Sequence, residues 1–344
     1  MLVIQVALGG ITRLTGSGLS ITEWKPILGA VPPLNDTDWN AAFQKYQGIA
    51  QYQYLNQDFT LSDFKAIYFW EWMHREWARL MGLVFIVGFT YFLARRRLDK
   101  SMVQPFVILF ILGGLQGAIG WIMVASGLND TDLYVSHIRL AVHFIAALVL
   151  VGYTFWFALK LRVPDAERIQ AKGLQKATLA LIAVLTVQLV YGAFMAGLKA
   201  AQSAPTWPGI NGSLIPASIH SSGGRTFSTL QAITDHPLAV HFVHRTLAAL
   251  LVILTLMWTL RARALARSQD TRTALRRWWT FPAILIAVQA LLGILTVRTS
   301  PRAIHNGFGI FELLAEAHQL VAMTFLLTLL AALYAVTGRR TVSA

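Results

Sequence analysis

Long apolar stretches dominate the chain, in place of the alternation of a half-buried sheet or the stripe of a soluble helix. Five of them, residues 101–129, 140–159, 177–198, 278–297 and 317–338, run without one Asp, Glu, Lys or Arg. Each reaches the roughly 20 residues that a helix needs to cross a bilayer. Two more, residues 66–94 and 236–260, are equally apolar but carry charge inside: Glu71, Arg75, Glu76 and Arg79 in the first, Arg245 in the second. The pattern predicts seven complete spans. Residues 1–11 are apolar at half that length and lack the basic start and small-residue cleavage site of a signal peptide; they read as the C-terminal half of a first helix whose beginning is missing or misassigned.

Composition agrees with the pattern. Of 344 residues 56% are hydrophobic and 13% charged, with a mean hydropathy of +0.55, which excludes a water-soluble fold. The absence of cysteine excludes disulfides, Cys-ligated zinc or iron–sulfur clusters, C-x-x-C-H heme attachment and a thiol nucleophile. A metal or cofactor then rests on His, Met, Asp or Glu. The net charge of +13 raises nucleic acid as a partner, but its distribution answers otherwise. Seventeen Lys and Arg lie in the segments 95–100, 160–176, 261–277 and 339–340, all on one side of the predicted bundle. Eight lie in the longer opposite loops and four, Arg75, Arg79, Arg139 and Arg245, inside spans. This is the positive-inside signature of topology, with both termini cytoplasmic and no nucleic-acid partner.

Two long segments, 12–65 and 199–235, then face outward. Within the first, residues 36–46 read as a short amphipathic helix capped by Asp36 or Thr37, with Trp39, Phe43 and Tyr46 on one face, lying on the membrane surface as a lid.

The spans hide a duplication. His74-Arg75 recurs as His244-Arg245, Gln116-x-x-x-Gly120 as Gln289-x-x-x-Gly293, and His143 as His318, at nearly equal offsets and in the same order. Gln5…Gly9 and Gln188…Gly192 repeat the Gln-x-x-x-Gly element, which thereby marks every odd-numbered helix; a small residue one turn from a polar one lets helices approach closely and bond across the contact. The fold class expected is an all-α integral membrane protein, an eight-helix bundle built of two pseudo-symmetric four-helix halves, residues 1–160 and 161–344, with its first helix cut short at the N-terminus.

Counted from the outer end of its span, each of His74, His143, His244 and His318 stands eight or nine residues in, roughly 12–14 Å deep. They occupy the even-numbered helices, one each. Ionisable groups at such depth are costly and point to function. Two histidines from facing helices of a four-helix unit suit a six-coordinate heme iron, whereas zinc or copper usually recruits carboxylate or sulfur as well. Two bis-His heme sites, one per half, are expected. Heme propionates call for cations near the aqueous edge: Arg75, Arg245, Arg139 and the loop residues Lys25 and Arg225 are candidates. An i,i+4 pair with Glu71 is the alternative role of Arg75.

The halves differ at one position. Glu71 shares the face of His74, while its repeat counterpart is His241. A carboxylate beside one iron suggests chemistry in the N-terminal half, with Glu71 as general base or proton acceptor, and electron transfer or storage in the other. His241 is left as a hydrogen-bond donor to a neighbouring ligand. His137, His220, His236 and His305 fall at loops or span edges and need no role, and the methionines share no depth.

Several segments closely resemble heme A synthase. They are G-G-I-T-R-L-T-G-S-G-L-S-I-T-E-W-K-P at residues 9–26, P-P-L-N from Pro32, F-K-A-I-Y-F-W-E-W-M-H-R at 64–75, S-H-I-R-L-A-V-H from Ser136, H-F-V-H-R from His241 and A-H-Q from Ala317. The resemblance runs from Gly9 to about residue 335. It implies oxidation of the C8 methyl group of heme O to a formyl group, by successive hydroxylations, to make heme A for cytochrome oxidase. It further implies that His244 and His318 hold a permanent heme b, and that His74 and His143 receive heme O beside Glu71. The bacillus-type members carry a cysteine pair in the first outer loop; this chain resembles the cysteine-free class of proteobacteria and mitochondria. The implied setting is the bacterial inner membrane, with membrane lipid, heme O synthase and cytochrome oxidase assembly factors as partners. Two other readings remain open on the residues alone: a diheme b-type electron-transfer protein that oxidises quinol, and a heme transporter.

Overall fold

Helix termini and apolar length together set the element order. The computed structural model describes residues 1–216, 218–222, 224–268, 273–338 and 340–341. Among the described residues thirteen α-helices follow one another: α1 (Leu2–Leu14), α2 (Asp36–Gln47), α3 (Ala50–Leu55), α4 (Leu61–Ala94), α5 (Lys100–Ala125), α6 (His137–Arg162), α7 (Lys172–Gly197), α8 (Ala200–Ser203), α9 (Thr229–Asp235), α10 (Pro237–Arg267), α11 (Ala274–Trp278), α12 (Phe281–Thr299) and α13 (Ile310–Val336). Seven helical stretches are long and apolar enough to cross a membrane, with α11 and α12 forming one of them. They coincide with the seven predicted spans. The termini are chemically marked: Thr60 and Asp63 close a capping box at the start of α4, and Pro237 opens α10 behind the cap of His236. Two minimal strand pairings stand outside the helical expectation, β1 (Ile169–Gln170) parallel to β4 (Arg340–Thr341) and β2 (Ser221–Ser222) antiparallel to β3 (Arg225–Thr226).

The chain divides into two compact units. The first comprises Met1–Leu150 with Ala303–Glu316. It holds an aromatic cluster in which Tyr46 and Phe64 are fully buried. Trp39 and Phe43 of α2 meet Phe64 of α4 at ring-centroid distances of 6.4 and 5.1 Å, and Trp39 meets Tyr68 at 5.0 Å. The apolar face of α2 thus packs against α4. The cap of α2 is Asn35, one residue before the expected Asp36: its Oδ1 accepts from the Asp38 main-chain N at 2.9 Å, and its amide returns a bond to the Asp38 carboxylate.

Asn56 ties this lid to the segment that precedes α13. Its amide donates to the Tyr46 hydroxyl at 2.6 Å, and its Oδ1 accepts from His305 Nε2 at 2.8 Å and Asn306 Nδ2 at 2.9 Å. Burial pushes the Tyr46 phenol up to about 12, so it serves as a neutral hydrogen-bonding group. Gly16, at φ +67°, lies so close to Asn306 that a Cβ there would stand 2.7 Å from its Oδ1; both the backbone sign and the space demand glycine. Glu312, also buried, holds the same segment by accepting from the main-chain N of Ile304 and of Gly309, each at 2.9 Å.

The second unit comprises Val151–Arg302 with Ala317–Ala344. Here α7 and α10 pack along their lengths, burying Leu181, Leu185, Leu189 and Leu251, and the Trp258 indole donates to Thr178 Oγ1 at 2.8 Å. The Arg168 guanidinium stacks 4.1 Å from the Tyr334 ring centre and bonds the carbonyls of Tyr334 and Thr337, which fastens β1 to the end of α13.

Candidate functional site

Each of the four span histidines packs against the Gln-x-x-x-Gly element of the helix beside it. Gln5 of α1 faces His74 of α4, its amide N 3.2 Å from Nδ1 and 3.2 Å from the His74 carbonyl. Gln116 of α5 treats His143 of α6 in the same way, at 3.1 and 3.0 Å. In the second unit the Gln188 amide of α7 stands 3.4 Å from His244 Nε2, and that of Gln289 in α12 3.2 Å from His318 Nε2.

The glycine one turn on makes room for the ring. A Cβ at Gly9, Gly120, Gly192 or Gly293 would lie 3.0, 2.8, 3.5 or 3.0 Å from Cε1 of the facing histidine. The spacing follows from helix geometry, since residues four apart share a face. His74 and His143 lie near enough to interact electrostatically, as do His244 and His318. The four histidines therefore form one pair in each unit.

Arginine fastens a loop to the histidine helix in both units. Arg75 donates to the carbonyls of Ile21 and Glu23 and, at 2.5 Å, to Glu71 Oε1. Glu71 is 2% exposed, and its other oxygen accepts from Ser20 Oγ at 2.7 Å and the Ile21 main-chain N at 2.8 Å. Arg245 donates to the carbonyls of Thr206, Pro208 and Gly209 and to Nε2 of His241. The counterpart of the Glu71–Arg75 pair is thus His241–Arg245, in which Nε2 of His241 accepts from the guanidinium and Nδ1 is left as the ring's donor.

The remaining candidates lie elsewhere. Lys25 is half exposed and pairs with Glu23, which also holds Lys45. Arg139 donates to the Ile122 carbonyl, and the side chain of Arg225 lies outside the described residues. His236 caps α10, and His305 belongs to the Asn56 network. Sequence reasoning missed Ser20 and the Ile21 backbone as partners of Glu71, and the buried acids Glu312 and Glu316, which bear electrostatically on Arg13.

The residues fit a heme better than a metal held by protein donors alone. Among the described residues no group of three or more His, Cys, Asp or Glu is placed to hold an ion, whereas a porphyrin iron asks the protein for two axial ligands only. Each unit offers one imidazole pair. The Oε1 atoms of Gln5, Gln116, Gln188 and Gln289 are all buried without a hydrogen-bond partner, as are the Nδ1 atoms of His244 and His318. Buried polar atoms without partners are rare and call for an explanation.

Comparison with known proteins narrows the reading. The model of a family described as cytochrome oxidase assembly protein, COX15-CtaA, matches residues 1–331. The chain is 40% identical over 307 residues to a protein named Heme A synthase from Cereibacter sphaeroides, covering 86% of this chain and 77% of that one. It is 39% identical over 340 residues to the Heme A synthase of Paracoccus denitrificans, covering 96% and 84%. The Heme A synthase of Sphingopyxis alaskensis is 40% identical over 347 residues, covering 99% and 90%.

Proposed function

The chain belongs to the cytochrome oxidase assembly protein family, and on that premise we propose that it acts as a heme A synthase. It is an oxidoreductase of heme A biosynthesis that converts the C8 methyl group of heme O to a formyl group by successive hydroxylations. The observation that carries the division of labour is the buried group paired with the loop-binding arginine, Glu71 in the first unit and His241 in the second.

His74 and His143 receive heme O, and His244 and His318 hold a resident heme b, in a bundle of two four-helix halves, 1–160 and 161–344, whose N-terminal half carries the substrate. When bound, heme b supplies one-electron redox chemistry that no side chain here can provide. The protein does the rest. The glycine notches set how closely each imidazole approaches its neighbouring helix, and the aromatic lid of α2 and α3 limits water at the outer end.

Glu71 is the proton acceptor. Ser20, the Ile21 N–H and Arg75 fix the direction of its carboxylate, and the Ser20 hydroxyl can reverse from donor to acceptor when the acid is protonated. Proton uptake then needs no repacking. Arg75 and Arg245 keep the loops closed over the two pairs and meet the propionate edges. The protein sits in the bacterial inner membrane with both termini cytoplasmic, and the farnesyl chain of heme O enters from the lipid side. Heme O synthase and cytochrome oxidase assembly factors are its partners.

Mass spectrometry of the non-covalent hemes extracted from the purified protein, expressed beside a heme O source, tests the reading. Heme b together with heme O, its hydroxylated form or heme A is expected. Heme b alone, two per chain and reducible by quinol, would replace it with a diheme electron-transfer protein.

A further inference from the structure

We infer that the segment between α1 and α2 dips into the outer leaflet of the membrane, with Ile27 and Leu28 at its tip set among lipid acyl chains. The spans alone carry this, whatever chemistry the histidine pairs support.

The make-up of the tip is the first reason. Residues 26–34, P-I-L-G-A-V-P-P-L, carry no polar side chain, with Lys25 before the run and Asn35 after it. Ile27 and Leu28 are 82% and 83% exposed, Leu34 77% and Val31 63%. A contiguous exposed apolar patch marks a surface made for another apolar phase.

Depth decides which phase that is. Arg79 of α4 donates from Nε to the Pro26 carbonyl at 2.8 Å and from Nη2 to the Lys25 carbonyl at 3.1 Å. The helix runs on to Ala94, and Arg95, Arg96 and Arg97 follow at once, a basic cluster that marks the inner boundary. Arg79 stands fifteen residues before Ala94, roughly 22 Å at the helical rise, inside the roughly 30 Å of hydrocarbon. Tilt only lowers that height. Side chains lean towards the N-terminus of their helix, so the guanidinium meets the loop just under the outer boundary. A second helix agrees: Trp24 packs on Trp121 with ring centres 5.5 Å apart, and Trp121 lies one turn before the end of α5, within the uncharged stretch 101–129.

Irregular backbone is tolerated at such depth only where protein meets its polar groups. The tip satisfies that condition. The Lys25 carbonyl accepts from the Gly29 N–H at 3.0 Å as well as from Arg79, the Ile27 carbonyl from the Ala30 N–H at 3.2 Å, and the Ala30 carbonyl from the Trp72 indole at 3.0 Å. Pro26 has no N–H to satisfy. These carbonyls turn to α4 or close on the loop itself, and the apolar side chains are left exposed. The same bonds explain how a charge sits inside a span: Arg79 is met by Glu76 and by two carbonyls.

The chain has no cysteine, so one introduced thiol carries a fluorophore to one place. The experiment labels Leu28→Cys with an NBD maleimide in the full-length protein, places it in lipid nanodiscs, and compares quenching by phosphatidylcholine brominated on its acyl chains with quenching by aqueous iodide. Leu83→Cys, on an exposed position of α4, reads hydrocarbon, and Asp58→Cys, exposed in the turn before α4, reads water. Ile27→Cys repeats the reading one residue away; both tip positions are exposed, so neither substitution removes packing. Brominated lipid is expected to remove as much emission at 28 as at 83, and iodide several-fold less at 28 than at 58.

Iodide quenching at 28 equal to that at 58 would put the tip in water and overturn the inference. Protection from both quenchers would put the tip against protein, a second copy included, and overturn it equally. Failure of the membrane reading itself would look different: the label at 83 would then escape the brominated lipid as well.

Discussion

Four residues before the clamping arginine, the first unit has Glu71 and the second has His241. Both side chains are buried, both pair with their arginine, and both arginines grip loop carbonyls. The carboxylate does something more: it reaches the loop itself through Ser20 and the Ile21 N–H. In the second unit Arg245 joins the loop to this pair through the carbonyls of Thr206, Pro208 and Gly209. A duplicated frame has thus kept its clamp and changed one group beside one imidazole pair. The comparison teaches that a frame can be kept while one group in it changes: glycine, glutamine, histidine and arginine recur, and the carboxylate does not.

The strongest way to break this comparison is to remove ligands. His244→Ala or His318→Ala should abolish retained heme b, read as the pyridine hemochrome of the purified protein. His74→Ala and His143→Ala should keep it and lose heme A production. Equal loss of heme b from both sets would erase the distinction between the units.

Next in size is the position that differs. Glu71→Gln preserves the shape of the side chain and should retain heme b while slowing heme A formation by about 10²–10⁴-fold, the usual weight of a general base. His241→Gln should leave the rate within a few-fold, measured by chromatography of extracted hemes. A Glu71→Gln enzyme at full rate would reduce the carboxylate to a brace for the loop.

The glycine notches offer a finer test. A Cβ at Gly120 would meet His143 Cε1 at 2.8 Å, but one at Gly192 would stand 3.5 Å from His244 Cε1. Gly120→Ala should destabilise by about 1–3 kcal/mol through overpacking, whereas Gly192→Ala should be close to neutral. Thermal melts in detergent would read the difference.

The smallest effect belongs to the loop around Glu23. Lys45 and Lys25 hold its carboxyl below the usual carboxylate range. A carboxyl lowered in the folded state stabilises while ionised, so its contribution is intact above the ordinary glutamate value of about 4.3. It is lost as the pH falls through the lower folded value. Because both sides of these ion pairs are about half exposed, the effect should be shallow and weakened by salt. Glu23→Gln and wild type should differ slightly in melting temperature at neutral pH and converge in acid.

Much of the frame was legible because hydropathy and depth are properties of a single segment. The seven spans follow from apolar length, and the four histidines declare themselves by their equal distance from the outer ends. The repeat of Gln-x-x-x-Gly was also visible, but only as a place where helices approach. That each element faces a histidine depends on which helices are neighbours, which spacing within one helix cannot tell. The partners of Glu71 were hidden for a related reason: Ile21 contributes a main-chain N–H, and no residue type announces that. Lys25 was read by its charge alone, and its pairing with Glu23, two residues away, depends on the turn of the loop between them. The packing of the lid was hidden because α2 alone shows an apolar face without showing the Phe64 and Tyr68 rings set against it.

The grip of α4 on residues 20–26 has an implication for how this segment can vary. Apart from Ser20, its bonds to Glu71, Arg75 and Arg79 use main-chain atoms: the Ile21 N–H and the carbonyls of Ile21, Glu23, Lys25 and Pro26. Such bonds read the path of the backbone and are blind to what hangs from it. Side chains at 21, 23 and 25 can drift without releasing the loop, provided the turns are kept. A proline at 21, lacking the N–H, or a single inserted residue would cost the grip while leaving every charged partner in place.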